Sequence, residues 1–284
     1  MPELPEVETI KSELLPHIIG CCVSGVTLLW EGIVHQPSVK EFYSCLIGQR
    51  LTGLVRRGKY LIFSLSSGEV LIIHLKMTGS LLLGKDSSEP PKHTRAIIHL
   101  DRGINIFFRD PRKFGAMWLV KDADSIVGKL GPEPLEAGFT PQVLVQRLAN
   151  RTAPIKALLS DQTFIAGIGN MYADEALFAA GIHPLRAGGS LSAEEIEGLH
   201  RAIQQVLWSA IGNKGASVEN YFRPDGTLGT AHFQFQVAHC LGGKLCPVCG
   251  TPIERIVVRN RGTYFCPKCQ PQKCFYSIGV DTYK

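Results

Sequence analysis

Four cysteines near the end of the chain carry the clearest chemistry. Cys246-Pro-Val-Cys249 is separated by sixteen residues from Cys266-Pro-Lys-Cys269. This C-x2-C-x16-C-x2-C spacing falls in the range of a four-thiolate zinc site. Two residues between cysteines let both sulfurs of a knuckle reach one ion. A shell closed by four cysteines makes that ion structural rather than catalytic, so one structural Zn2+ is expected. The opening MPELPEVETI poses a second question. Pro5 and Glu6 suit the first turn of a helix, where a missing N–H costs nothing and a carboxylate meets the positive end of the dipole. Pro2 and Glu3 either belong to that cap or are present for a terminal amine and a neighbouring carboxyl.

Basic residues are unevenly spread. The formal net charge is +5, and from Cys240 onward seven Lys and Arg meet two acids, so that segment holds the whole surplus. Further basic knots are Arg50, Arg56, Arg57 and Lys59, then Arg109, Arg112 and Lys113. Such clusters suit a polyanion, although ordinary solvated surface carries them too. The nine cysteines are an odd number, which argues against a disulfide framework in a reducing compartment. No stretch approaches the roughly 18 apolar residues of a membrane span. The acidic start lacks the apolar run of a signal peptide. A cytoplasmic protein without a membrane partner is expected.

These residues need a scaffold, and 284 residues suffice for two domains with a small appendage. Val7, Ile10, Leu14 and Ile18 predict a helix over 6–19, with Pro5 at its first position. Short β-rich runs follow (VSGVTLLW, RLTGLVRRGKYLIFSL, EVLIIHLKM, TRAIIHL, INIFFRD, GAMWLV), separated by turn chemistry and without intervening helices. They predict a sandwich or barrel over 1–121. The stretch 122–139, with GPEPLEAG, reads as a linker. A helical pattern occupies 140–239: Thr140-Pro141 marks one start, and Ser192 with Glu195 forms a capping box. Residues 213–230 read as a long loop of the kind that is often functional. Between the cysteine knuckles, ERIVVRNRGTYF predicts a hairpin turning at Asn260-Arg261-Gly262, with Arg261 at the tip.

In this order, PELPEVET, GKYLIF, HLKMTGSL, RDPRKFG, LGPEPL, DQTFIAGIGNMYADEALFAAGIHP and RGTYFCPKCQ resemble the bacterial formamidopyrimidine-DNA glycosylases, to about Gln270. The resemblance implies an α+β multidomain fold. An N-terminal two-sheet β-sandwich flanked by helices precedes a helix–two-turn–helix domain and a four-cysteine zinc finger at 240–270. It implies a monomeric, bacterial enzyme of base excision repair, associated with the nucleoid through double-stranded DNA. That enzyme excises 8-oxoguanine and formamidopyrimidines, then cleaves the abasic strand by β,δ-elimination.

The resemblance also assigns roles. Removal of Met1 would leave Pro2 with a free secondary amine. An α-amino group, with a pKa near 8, is substantially neutral at pH 7 and is a competent Schiff-base nucleophile. Glu3 matches the general acid–base group, Lys59 a proton-transfer lysine, and Arg261 a finger arginine that grips phosphates. Glu6 either lines the site or serves the helix dipole. His74, His93, Arg151 and Asn170 match DNA contacts. Met77, Arg112 and Phe114 match a wedge that fills the gap left by a flipped nucleotide. Ser217 and Tyr221 are candidates in the segment that covers the extruded base. Two departures stand out. Val237-Ala238-His239-Cys240-Leu241 replaces the usual Tyr-Gly and basic residue, and PQKCFYSIGVDTYK, with Cys274, extends the chain over 271–284.

Overall fold

Helix α1 (Leu4–Ile18) forms because its apolar residues recur on one side of the 3.6-residue repeat and bury completely. It begins two residues before the predicted start. Leu4 is its first residue and Pro5 its second, with Glu3 as the N-cap. Pro5 still fits, because first-turn N–H groups have no intrahelical partner. The computed structural model describes residues 1–218, 220–239 and 241–272, so Cys240, Lys273, Cys274 and the rest of the C-terminal extension lie outside the described residues.

In chain order there follow β1 (Val23–Leu28), β2 (Val34–Gln36), α2 (Val39–Leu46), β3 (Leu51–Arg57), β4 (Tyr60–Leu65), β5 (Val70–His74), β6 (Ser80–Lys85), β7 (Thr94–Leu100), β8 (Ile104–Arg109) and β9 (Ala116–Val120). They build a four-stranded antiparallel sheet, β1-β7-β8-β6, and a five-stranded sheet, β2-β9-β5-β4-β3, in which only β2 and β9 run parallel. Alternation decides which side chains point inward. Leu61, Phe63 and Leu65 of β4, Ile73 of β5, Ile98 of β7 and Phe108 of β8 share one core with α1. Each such burial contributes about 1.5–3 kcal/mol. The intervening Ile62, Ile72 and Val120 pack outward against Val127, the last residue of α3 (Asp124–Val127). The two-sheet sandwich expected from the sequence is present, with β2 and β6 as additional strands; the expectation of no intervening helix fails at α2, which Ser38 and Glu41 start with a capping box and which buries Phe42 and Leu46.

Two compact units emerge, and neither is continuous in sequence. The first joins Met1–Phe139, Asp161–Gly169 and Gln204–Phe235; the second joins Thr140–Ser160, Asn170–Ile203 and residues from Gln236 onward. Within the first, 161–169 returns to the N-terminus, where the Leu4 N–H donates to the Gly167 carbonyl at 3.0 Å.

The second unit holds α4 (Pro141–Leu148), α5 (Ile155–Leu159), α6 (Asn170–Ala179), the start of α7 (Ala193–Gly212) and the hairpin of β10 (Glu254–Val258) and β11 (Arg261–Phe265). Thr140 caps α4 by accepting the Val143 N–H at 3.3 Å. Ser192 and Glu195 form the reciprocal box, with bonds of 3.2 and 2.9 Å. The hairpin turns at Arg259 and Asn260, both with positive φ, and pairs Val258 with Arg261. The turn is therefore displaced toward the N-terminus from the predicted one, and Arg261 is the first residue of β11 rather than the tip. Lys156, fully buried, donates to the Asp174 carboxylate and to the Asn170 carbonyl, and the other Asp174 oxygen accepts the Tyr264 N–H at 3.3 Å.

Candidate functional site

The first unit places Pro2 and Glu3 directly ahead of α1, both buried. One Glu3 carboxylate oxygen accepts the Gly169 N–H at 2.7 Å. A Cβ at Gly169 would lie 2.3–2.7 Å from the Glu3 carboxyl atoms, so any side chain there would displace that carboxyl. The Glu3 N–H donates to Glu6 at 2.7 Å, and the other Glu6 oxygen accepts the Ala216 N–H at 2.8 Å. Glu6 thus satisfies a first-turn donor and fixes the 213–230 loop at the same time.

Lys59 is the second residue of the β3–β4 turn and is 4% exposed. Gly58 ahead of it has φ +55°. Buried Glu133 holds this turn. It accepts from Arg56 at 2.7 Å, from Arg57 at 2.9 Å and from the Gly58 N–H. His74 ends β5, and its Nδ1 accepts the Lys76 N–H at 2.9 Å. Burial, then the charges of Lys76 and Lys59, push the imidazole down to about 3. It is therefore neutral at working pH, with its proton on Nε2, and can meet a phosphate only as a neutral donor.

Met77, Arg112 and Phe114 come together on the surface. Arg112 Nη1 lies 3.4 Å from Met77 Sδ, and its guanidinium sits 4.6 Å over the Phe114 ring. Met77 is 44% and Phe114 46% exposed, so two large apolar side chains stand in water around one cation. Fully buried Asp110 shapes their loop by accepting the Phe114 and Gly115 N–H groups, each at 2.7 Å, together with the Thr78 hydroxyl. His93 has φ 72°, and its carbonyl accepts the Asp110 N–H at 2.9 Å. Desolvation, then Lys92, Arg109 and Arg95, lower its pKa. Tyr221 is 5% exposed and belongs to the sandwich core, where its hydroxyl donates to the Lys214 carbonyl at 3.2 Å. The Ser217 hydroxyl donates to the Tyr221 carbonyl at 2.9 Å and accepts the Gly229 N–H at 2.8 Å. Both side chains therefore hold the loop's own shape.

The second unit carries the remaining candidates. Asn170 opens α6; its Nδ2 donates to the Gly262 carbonyl at 2.8 Å, while its buried Oδ1 has no hydrogen-bond partner. Arg261 is exposed beside it in sequence on β11. Arg151 is exposed between α4 and α5, and its Nε donates to the Arg147 carbonyl at 3.3 Å. Glu175 accepts the N–H groups of Gln236, Val237 and Ala238 at 2.7–3.0 Å, which anchors the unusual segment that leads to His239.

The Sγ atoms of Cys246, Cys249, Cys266 and Cys269 all lie within 4.8 Å of one another. The pairs Cys249–Cys266 and Cys246–Cys269 are 3.4 and 3.8 Å apart. A tetrahedral shell with metal–sulfur bonds of about 2.3 Å needs sulfurs roughly 3.8 Å apart, so these residues fit such an ion. Hydrogen bonds from Thr251 pull the Cys249 thiol down to about 6, whereas burial and the neighbouring thiols push Cys269 up to about 12. Four thiolates this close require a cation. The cluster is also held from outside, because fully buried Gln270 accepts the Cys266 N–H and donates to the Ile182 carbonyl, each at 2.9 Å.

Sequence comparison matches three family models in order: the formamidopyrimidine-DNA glycosylase N-terminal domain over 1–117, its H2TH domain over 130–221, and the zinc finger found in FPG and IleRS over 243–272. The chain is 46% identical to a formamidopyrimidine-DNA glycosylase of Chloroflexus aurantiacus, over 95% of this chain and 98% of that one. It is similar to the crystal structure of the MutM (FPG) protein of Thermus thermophilus, with TM-score 0.86 and 39% identity over 96% and 100% of the two chains. It is also similar to the Lactococcus lactis Fpg in complex with DNA containing an abasic site, with TM-score 0.88 and 34% identity over 95% and 100%. Two sheets, a helical unit and a four-cysteine finger thus combine as in a DNA-repair glycosylase. The chain belongs to the formamidopyrimidine-DNA glycosylase family.

Proposed function

We propose that this chain is a bifunctional DNA glycosylase and abasic-site lyase that removes 8-oxoguanine and formamidopyrimidines from duplex DNA. The observation that carries the reading is the buried Glu3 carboxylate, fixed by Gly169 immediately after Pro2. With Met1 removed, the Pro2 amine attacks C1′ of the damaged nucleotide and the bond to the base breaks. Glu3 handles the proton that the leaving base requires. The amine loses its proton, the C1′–O4′ bond opens with O4′ protonated, and the resulting iminium acidifies C2′; loss of a C2′ proton expels the 3′ phosphate, and a second elimination expels the 5′ phosphate. No net oxidation occurs. Lys59 serves the proton transfer, and Arg261 and Asn170 contact the backbone phosphates. His74, His93 and Arg151 supply further backbone contacts. The Met77–Arg112–Phe114 group fills the vacated stack, with Arg112 toward the orphaned base. Glu6 acts through the loop it ties rather than on substrate.

The four cysteines would hold one zinc ion, which organises the finger and takes no part in the chemistry. Chelation, or Cys266→Ser, is expected to release one zinc per chain and make the β10–β11 amides exchange rapidly. Retained hydrogen-exchange protection after metal loss would show that the hairpin folds without it. Substrate choice is tested on duplexes carrying 8-oxoguanine or thymine glycol. Faster excision of 8-oxoguanine is expected, and faster excision of thymine glycol would assign the chain to pyrimidine lesions instead.

A further inference from the structure

The outer face of the four-stranded sheet carries a cation without a partner. Phe108 of β8 points into the sandwich core, so Phe107 and Arg109 on either side of it point out. Phe107 packs there with Leu82, Ile97 and Phe222, and the Arg109 guanidinium lies 5.0 Å from the centroid of the Phe222 ring. Arg109 makes no ion pair among the described residues, and its buried Nη1 has no hydrogen-bond partner. The hydroxyls opposite it on the flanking strands are committed elsewhere. Ser80 donates to the Asn220 carbonyl at 3.3 Å and Thr94 to the Pro91 carbonyl at 2.6 Å. Arg95 is employed differently: its Nε donates to the Asp110 carbonyl at 2.8 Å and its Nη2 to the Pro111 carbonyl at 3.3 Å, which shapes the loop ahead of Arg112. Besides desolvation, the charges of Lys92, Arg109 and Arg95 act on His93, so four basic side chains gather at this end of the sheet. None of those three cations has an acidic partner among the described residues. A half-buried guanidinium with an unsatisfied donor is costly, and the ring beside it offsets only part of that cost. The cluster suits an anion supplied from outside the chain.

We propose that Arg109 grips a backbone phosphate of the bound duplex, a contact separate from that of Arg112 at the vacated stack. The inference rests on the glycosylase reading above. Arg109 is three residues from Arg112 along its own segment and, through its pairing with Ser80, three from Met77 along the other. Three extended residues span about 10 Å. A DNA strand carries one phosphate per about 3.4 Å of rise, so a phosphate within about three nucleotides of the gap filled by Met77, Arg112 and Phe114 is in reach. A guanidinium offers two parallel N–H donors to phosphate oxygens. The Phe222 ring holds that planar fork by its face and occupies none of its donors. Lys92 and His93 add to the attraction from the same end of the sheet.

Arg109→Gln and Arg109→Lys test the inference. Equilibrium binding is measured on a duplex carrying a tetrahydrofuran abasic-site analogue, which cannot form the iminium, over about 50 to 200 mM salt. Arg109→Gln should bind about 10-fold more weakly at the lower salt, the usual worth of a hydrogen bond to a charged group. It should also reduce the slope of log affinity against log salt by about 0.9, one phosphate contact fewer. Arg109→Lys keeps the charge, so it should keep the slope and lose part of the affinity, because an ammonium cannot offer the fork. Thermal melts without DNA should agree among the three proteins, since neither substitution removes a hydrogen bond or an ion pair. An unchanged slope in Arg109→Gln overturns the proposal. If its melting temperature falls as well, Arg109 is a structural clamp on Phe222 instead. A wild-type chain that binds this duplex no more tightly than an undamaged one overturns the glycosylase reading itself.

Discussion

Glu3→Gln is expected to slow base release by about 10²- to 10⁴-fold, the usual worth of a positioned acid–base group. The fold should barely notice. Glutamine keeps an oxygen to accept the Gly169 N–H and preserves the volume of the buried side chain. The lost charge at the start of α1 costs about 0.3–1 kcal/mol. Rate and stability therefore separate, and a stopped-time excision assay paired with a thermal melt reads both. Gly169→Ala should slow the reaction for a steric reason, because its Cβ would displace the Glu3 carboxylate. Wild-type base release by Glu3→Gln would remove Glu3 from the chemistry and leave it only a helix cap.

Lys156→Met should give the largest stability loss. Removing one partner of a buried ion pair costs about 3–5 kcal/mol, because the other charge is left in a poor dielectric. The loss should depend on pH, and its sign follows from Asp174. Burial already pushes that carboxyl up from 3.8 to about 7, against the opposing pull of Lys156 and the Tyr264 N–H. A carboxyl with a raised folded-state value contributes stability below its unfolded value and loses it as pH climbs through the folded one. Without Lys156 the folded value rises further. The variant should therefore be most impaired above pH 7 and approach the wild type near pH 5, where Asp174 takes up a proton. Adding Asp174→Asn should recover much of the loss at high pH. Thermal melts across pH 5–8.5 measure this, and a deficit that is flat across that range would contradict an ion-pair origin.

The sequence made legible whatever depends on neighbours in the chain. Helix α1 follows from its apolar spacing, the Ser192–Glu195 box from three residues of separation, and the cysteine cluster from its knuckles. Most strands of the sandwich follow from short apolar runs bounded by turn residues; the three-residue β2 and β6, with its three consecutive leucines, do not. Acids with distant partners were not legible. Glu133 lies in a Gly- and Pro-rich stretch that reads as a linker, yet it holds Arg56, Arg57 and Gly58 from more than seventy positions away. Asp110 and Glu175 likewise work by accepting several backbone N–H groups, a role that has no periodicity. Tyr221 reads as a loop residue open to a ligand, but its burial in the core is decided by strands far from it in sequence. The hairpin turn was displaced because Arg259 adopts positive φ, which the local residue type does not favour.

Borohydride trapping on abasic-site DNA tests the central claim most directly. Reduction should fix an iminium between the sugar and the protein, and peptide mapping should place the adduct on Pro2 of chains that lack Met1. Chains that retain Met1 should form none. An adduct on Lys59 or another lysine, or strand cleavage by the Met1-free protein without any adduct, would contradict a proline nucleophile.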